Sequence, residues 1–185
     1  SFVFYHFREI EWSKEMPSNQ RFTEKDFVLE KGEAYEDCEF DSVDFSILSL
    51  KNCSFVECSF HNCNLANVEL LSGSIRNCHF KGSNLIGINW CLLNNFSSPK
   101  FEFCKLNYSV FENLKLPNSF FGDCSLVEVD FSGCDLSGAN FSRSNFAGAN
   151  LNGANLAGAD FRTSRDYIFD IRTTKIKGSK FSFPY

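Results

Sequence analysis

Nine cysteines stand out in this 185-residue chain as the residues best able to do chemistry. Cys53, Cys58 and Cys63 run as C-x4-C-x4-C, close to the spacing of zinc ligands. In an oxidising compartment the same set would suggest disulfides. Cys38, Cys58 and Cys78 lie 20 residues apart, a spacing that matters if the chain coils. The histidines are His6, His61 and His79. Asp130, Asp135 and Asp160 could be read as paired carboxylates for acid–base work. No G-x-S-x-G, phosphate-binding P-loop or G-x-G-x-x-G is present.

The elements that must hold these residues are set by a five-residue beat. Phe or Leu recurs at 40, 45, 50, 55, 60, 65, 70, 80 and 85, with Ile75 and Trp90 in the same phase. After one extra residue the beat resumes at Phe96 and runs unbroken to Phe161. A period of five fits neither a helix nor a flat strand, and a short fixed repeat marks a solenoid. The position two before each of these centres is also restricted, to Cys, Ala, Ser, Val and other uncharged residues. None of the 50 positions is charged in a chain that is 22% charged, so both positions face a dry interior. The position two after the centre is Gly or Asn in 13 of 25 repeats, as a type II turn with positive φ favours. Each pentapeptide is thus a short extended piece and a corner, and four such sides close one coil of a square tube. Coils would stack about 4.8 Å apart.

That register reinterprets the cysteines. Eight of the nine fall on the small inward position, where Cys acts as a small buried hydrophobe. Cys53, Cys58 and Cys63 would sit on three successive sides, while Cys38, Cys58 and Cys78 would stack in one column, close enough to cross-link if oxidised. Only Cys91 is off-frame, which makes it the candidate reactive thiol. The Asp and Asn residues before the centres recur too regularly for a catalytic pair and suit coil-edge polar groups or an acidic binding surface. His61 and His79 flank centres and should point outward. We expect no catalytic, metal or cofactor site, and no enzyme activity.

These residues resemble the pentapeptide-repeat family, A-(D/N)-L-x-x, with the clearest copies at Ala149-Asn150-Leu151, Ala154-Asn155-Leu156 and Ala159-Asp160-Phe161. The resemblance implies an all-β fold, a right-handed quadrilateral parallel β-helix. Its core would include Phe40, Phe45, Phe55, Phe60, Phe80, Phe101, Phe111, Phe131, Phe141 and Phe161. We expect an irregular N-terminal coil or cap over 1–34, the β-helix over 35–161 with a one-residue insertion at 91–95, and a deformed last coil over 162–185. Phe2, Phe7, Trp12, Phe22 and Phe27 share a phase in the cap, and Ile171, Ile176 and Phe181 keep the phase at the end.

Charge limits the partners. Residues 1–40 hold 10 acidic and 5 basic side chains, 41–160 hold 11 and 7, and 161–185 hold 2 and 6. An acidic tube with a basic end argues against direct nucleic-acid binding and allows binding to a partner protein's surface that itself binds DNA. No run approaches 18 apolar residues, so no membrane association is expected. The start shows no signal peptide, and Ser1 in place of Met suggests processing, trimming or a tag scar; a bacterial, cytoplasmic location is expected.

The ending resembles that of Qnr-type quinolone-resistance proteins through Tyr167, Phe169 and Asp170, then Lys175, Lys177, Lys180 and Phe181-Ser182-Phe183-Pro184. That resemblance implies a DNA-mimicking protein that binds DNA gyrase or topoisomerase IV and protects it from fluoroquinolones, with a homodimer through its C-terminal end. Repeat counting places Glu69, Glu112 and Asp130 on one side as candidate contacts. Trp90, Leu92, Phe103 and Tyr108 join them as an apolar cluster beside the insertion. The alternative is a structural or scaffold module for another, unidentified protein.

Overall fold

In the computed structural model, residues 16–29 and 32–182 are described. The chain is a right-handed quadrilateral parallel β-helix. Phe2, Phe7 and Trp12 lie outside the described residues. Among the described residues ten three-residue strands form in chain order: β1 Arg21–Thr23, β2 Ala34–Glu36, β3 Glu39–Asp41, β4 Ser54–Val56, β5 Ser59–His61, β6 Ser74–Arg76, β7 His79–Lys81, β8 Asn95–Ser97, β9 Lys100–Glu102 and β10 Phe120–Gly122. They stack as two parallel ladders, β1-β3-β5-β7-β9-β10 and β2-β4-β6-β8. Isolated parallel bridges carry the register along the other sides, as in Asp44↔Asn64↔Asn84 and Val110↔Asp130↔Asn150.

Four faces follow from this register. The first is centred on Phe40, Phe60, Phe80, Phe101, Phe121, Phe141, Phe161 and Phe181. The second is centred on Phe45, Leu65, Leu85, Leu106, Leu126 and Phe146. The third is centred on Leu50, Leu70, Trp90, Phe111, Phe131 and Leu151. The fourth is centred on Tyr35, Phe55, Ile75, Phe96, Leu116, Leu136, Leu156 and Ile176. All ten phenylalanines expected in the core are buried. Along the first face they form one continuous stack, with ring centroids 4.9 Å apart for Phe40–Phe60, 4.6 Å for Phe60–Phe80, 5.3 Å for Phe80–Phe101 and 5.1 Å for Phe101–Phe121.

The corners have positive φ along nearly the whole tube, and not only at Gly and Asn. Asp37, Glu57, Phe103, Tyr108, Glu128 and Arg143 all adopt φ between 50° and 61°. Neighbouring coils hold the corner through backbone bonds such as Phe103 N to Gly122 O and Tyr108 N to Val127 O. The ladder thus imposes the conformation on residues that would not choose it.

The eight inward cysteines are buried and reduced, and Cys91 is exposed. Their role goes beyond filling space. Cys63 Sγ donates to the carbonyl of Phe40 at 3.3 Å, and Cys134 Sγ to that of Phe111 at 2.9 Å. Serines at the same position do likewise, Ser109 Oγ to Leu85 O and Ser144 Oγ to Phe121 O. The position thus favours small side chains that can reach the preceding coil. Burial pushes the Cys63 thiol up to about 11 and the Cys134 thiol up to about 12.

The inserted residue is absorbed by a 3-10 turn, Trp90–Leu92, capped by Asn89 Oδ1 accepting from Cys91 N at 3.0 Å. Asn94, expected inward, is exposed and donates from Nδ2 to Ser72 O, while the half-buried Leu93 packs on the core in its place. At the far end Ile171 keeps the sequence phase but is 71% exposed. Tyr167 and Phe169 pack under Phe161 instead, at 5.2 and 6.3 Å, because the side from Asp166 to Ile171 leaves the ladder.

Candidate binding surface

Outward positions hold two kinds of aspartate. Asp130 Oδ1 accepts from Ser132 N at 2.9 Å and from Asn150 Nδ2 of the next coil at 3.1 Å. Asp135 is held in the same way by Ser137 N and Asn155 Nδ2. These side chains tie coil to coil and have no arrangement for acid–base catalysis. Others are spent on ion pairs: Asp123 with Arg143, Asp160 with Arg162, Asp170 with Arg172 and Asp41 with Arg21, each between 2.6 and 2.7 Å. Among the described residues no group of three or more His, Cys, Asp or Glu could hold a metal. His61 and His79 lie 6.3 Å apart on the first face; burial lowers the pKa of His79, with Lys100 nearby.

These pairings predict a pH response. Hydrogen bonds from Arg143 and Arg162 hold Asp123 and Asp160 below the usual carboxylate range, and those from Ser137 lower Asp135. A depressed folded-state pKa contributes stability above the unfolded value, about pH 4, and that contribution is lost as pH falls through the lowered value. The urea midpoint should be flat near neutrality and decline below about pH 4. A midpoint that rises on acidification would contradict this reading.

Three of the carboxylates without a basic partner share one part of the tube. Glu112 and Asp130 lie on the third face, and Glu128 stands at the corner between the second and third faces, one coil from Tyr108. None of the three has a basic partner among the described residues. Tyr108 is 61% exposed, and Leu92, at the opposite corner of the third face, is 37% exposed. Glu112 and Asp130 are close enough to Cys91 to add to the rise in its pKa, whose main cause is partial burial. Cys91 Sγ also donates to Glu112 O at 3.4 Å. The exposed cysteine is therefore held as a thiol and not as a reactive thiolate. A maleimide should label one thiol, slowly, in the native protein and all nine after unfolding; rapid labelling of several native thiols would refute this.

The structure thus brings Leu92, Tyr108, Glu112 and Asp130 to one face and its edges. Glu69 shares that face but is neutralised by Lys51 at 3.0 Å. Phe103, 57% exposed, stands a full face away, at the corner of the first and second. Trp90 is a correction: it is wholly buried, stacked on Phe96 at 4.9 Å and on Phe111 at 5.6 Å, because a centre residue points inward even beside an insertion. Glu128 was missed by sequence reading. Its signal was its place at a corner, directly above Tyr108 in the 20-residue register.

The family pattern described as Pentapeptide repeats matches eight copies, over residues 38–82 and 124–162. Over these residues the chain is built of pentapeptide repeats. No curated protein matches the sequence. Similar solved structures include full-length QnrB1, a plasmid-mediated fluoroquinolone resistance protein, at 19% identity over 90% of this chain and 91% of that one, with a TM-score of 0.34. HetL, involved in heterocyst differentiation regulation in the cyanobacterium Nostoc sp. strain PCC 7120, is 12% identical over 91% of this chain and 86% of its own, with a TM-score of 0.28. Rfr23 from the cyanobacterium Cyanothece 51142 is 22% identical over 56% of this chain and 87% of its own, with a TM-score of 0.30. At these values the neighbours say nothing about what this chain binds.

Proposed function

We propose that this protein is a non-enzymatic, cytoplasmic binding protein that engages a type II topoisomerase, DNA gyrase or topoisomerase IV, and modulates fluoroquinolone action. The observation that carries the reading is the set of Glu112, Glu128 and Asp130 near exposed Tyr108 on the third face and its corner, none with a basic partner among the described residues, while Asp41, Glu69, Asp123 and Asp160 are ion-paired. Unpaired negative charge around an aromatic anchor suits a basic, partly apolar protein surface of the kind that otherwise holds DNA. The ending at 167–184, with its resemblance to Qnr proteins, supports the same partner. A rigid ladder loses little entropy on docking. In this reading residues 1–34 serve as the cap, 35–161 as the binding tube and 162–185 as the deformed last coil. No helix among the described residues is long and apolar enough to cross a membrane.

The internal pairing of most outward carboxylates favours a second reading, a scaffold for another protein, because it leaves too few free charges to imitate a duplex along the whole tube. A supercoiling assay separates the two. Protection of gyrase or topoisomerase IV from ciprofloxacin, or direct inhibition of either, is the expected result. Neither effect over a wide concentration range would discard the topoisomerase reading.

A further inference from the structure

The fourth face differs from the others in how its charges are distributed along the tube. Half of its outward side chains are small: Ala34, Ser54, Ser74, Ser97, Ser137 and Ala157, with Val56 and Pro117. Glu36, Asp37 and Glu57 crowd its N-terminal end, and Lys175 and Lys177 its C-terminal end. All five are exposed, and none makes an ion pair with another described residue. The register places Glu36, Val56, Arg76, Ser97, Pro117, Ser137, Ala157 and Lys177 in a single column, one residue per coil.

We propose that this face is an isologous interface, on which a second copy of the chain docks antiparallel. A two-fold axis in the plane of contact, crossing the tube between the coils of Phe96 and Leu116, lays each column against its own copy in reverse. The column above then pairs Glu36 with Lys177, Val56 with Ala157, Arg76 with Ser137 and Ser97 with Pro117. Asp37 and Glu57 fall beside Lys177 of the second copy, Lys175 lies opposite Ala34 in the neighbouring column, and Arg76 lies diagonal to Asp135. Each relation occurs twice by symmetry. Lys115 approaches its own copy near the axis, but it lies in the coil next to Asp135 and its charge is offset there. A parallel arrangement would set acid on acid at one end and lysine on lysine at the other. Charge complementarity therefore selects the antiparallel second copy. The strip is about 35 Å long at ordinary strand spacing and one side wide, at the low end of specific interfaces, so association should be of micromolar strength or weaker. The third face, with Tyr108 and Glu112, stays open in such a dimer.

Sedimentation velocity on the full chain at low salt tests this. A concentration-dependent equilibrium between the 21.1 kDa monomer and a dimer is expected. It should weaken as salt screens the end charges. Glu36→Lys and Lys177→Glu should each raise the dissociation constant about tenfold, because each sets like charges opposite one another twice. The double variant restores the opposition with signs exchanged and should return the constant to near the wild-type value. Unchanged far-UV circular dichroism confirms that the single variants fold. Small-angle scattering should show a dimer little longer than the monomer. The proposal is overturned if the chain stays monomeric at several hundred micromolar, if the single variants do not weaken the dimer, if the double variant is no tighter than the singles, or if the dimer is twice the monomer's length.

Discussion

Phe101→Ala should destabilise the protein by about 3–5 kcal/mol, among the largest effects of any single truncation in this tube. Phe101 is fully buried. Its ring stacks on Phe80 and Phe121 and meets Trp90 edge-on at 5.5 Å. The backbone on both sides is pinned by the ladder between β7, β9 and β10, so the coil cannot collapse onto the missing ring. A further consequence follows from the one-dimensional fold. Each coil contacts only its neighbours, so a gap in the stack weakens the coupling between the two halves of the tube. Urea unfolding of the variant should therefore show a lower midpoint and a broadened or two-step transition. Phe96→Ala should cost markedly less, since Phe96 is only half-buried. Equal effects of the two substitutions would show that the continuous stack is not what holds the coils together.

Tyr108→Asn should leave stability unchanged or slightly raised, yet weaken topoisomerase protection about tenfold. The two halves of that prediction have one cause. Tyr108 has φ +61°, a conformation Asn accepts more easily than a bulky aromatic residue does, so folding alone gives no reason for a tyrosine there. Under the proposed function the exposed ring serves a contact made outside the chain. Combining Tyr108→Asn with Glu112→Lys and Asp130→Asn should abolish protection in the supercoiling assay. Glu69→Gln should change it little, because Glu69 is already neutralised by Lys51. Full protection by the triple variant would remove this surface from the proposal.

Most of the fold was legible because the inward positions admit few residue types. Phe40 through Phe161 and the eight buried cysteines follow from spacing alone, since any other phase would bury charge. The ends were less legible. Ile171 keeps the phase and yet is exposed, because Tyr167 and Phe169 offer more apolar surface to the open end of the core. Periodicity carries no information about which of several nearby apolar residues wins such a competition. The surface was legible in part. Repeat counting put Glu69, Glu112 and Asp130 on one face, but it could not show that Lys51 cancels the first. It also offered Trp90 as a contact beside the insertion, although the register of a centre points its ring inward. The thiol and hydroxyl donors reaching back one coil were invisible for a different reason. Cys, Ser and Ala look alike as small residues, and only geometry shows that two of them donate a hydrogen bond.

The corner conformation has a consequence for how such a chain can change over generations. The ladder imposes positive φ at the corner whether the residue is Gly158, Glu128, Arg143 or Tyr108. Corner identity is therefore less constrained by folding than that of the inward columns, which admit few residue types. Substitutions that alter what the tube recognises can accumulate at the corners without passing through unfolded intermediates. The same core can thereby be inherited by proteins with unrelated partners.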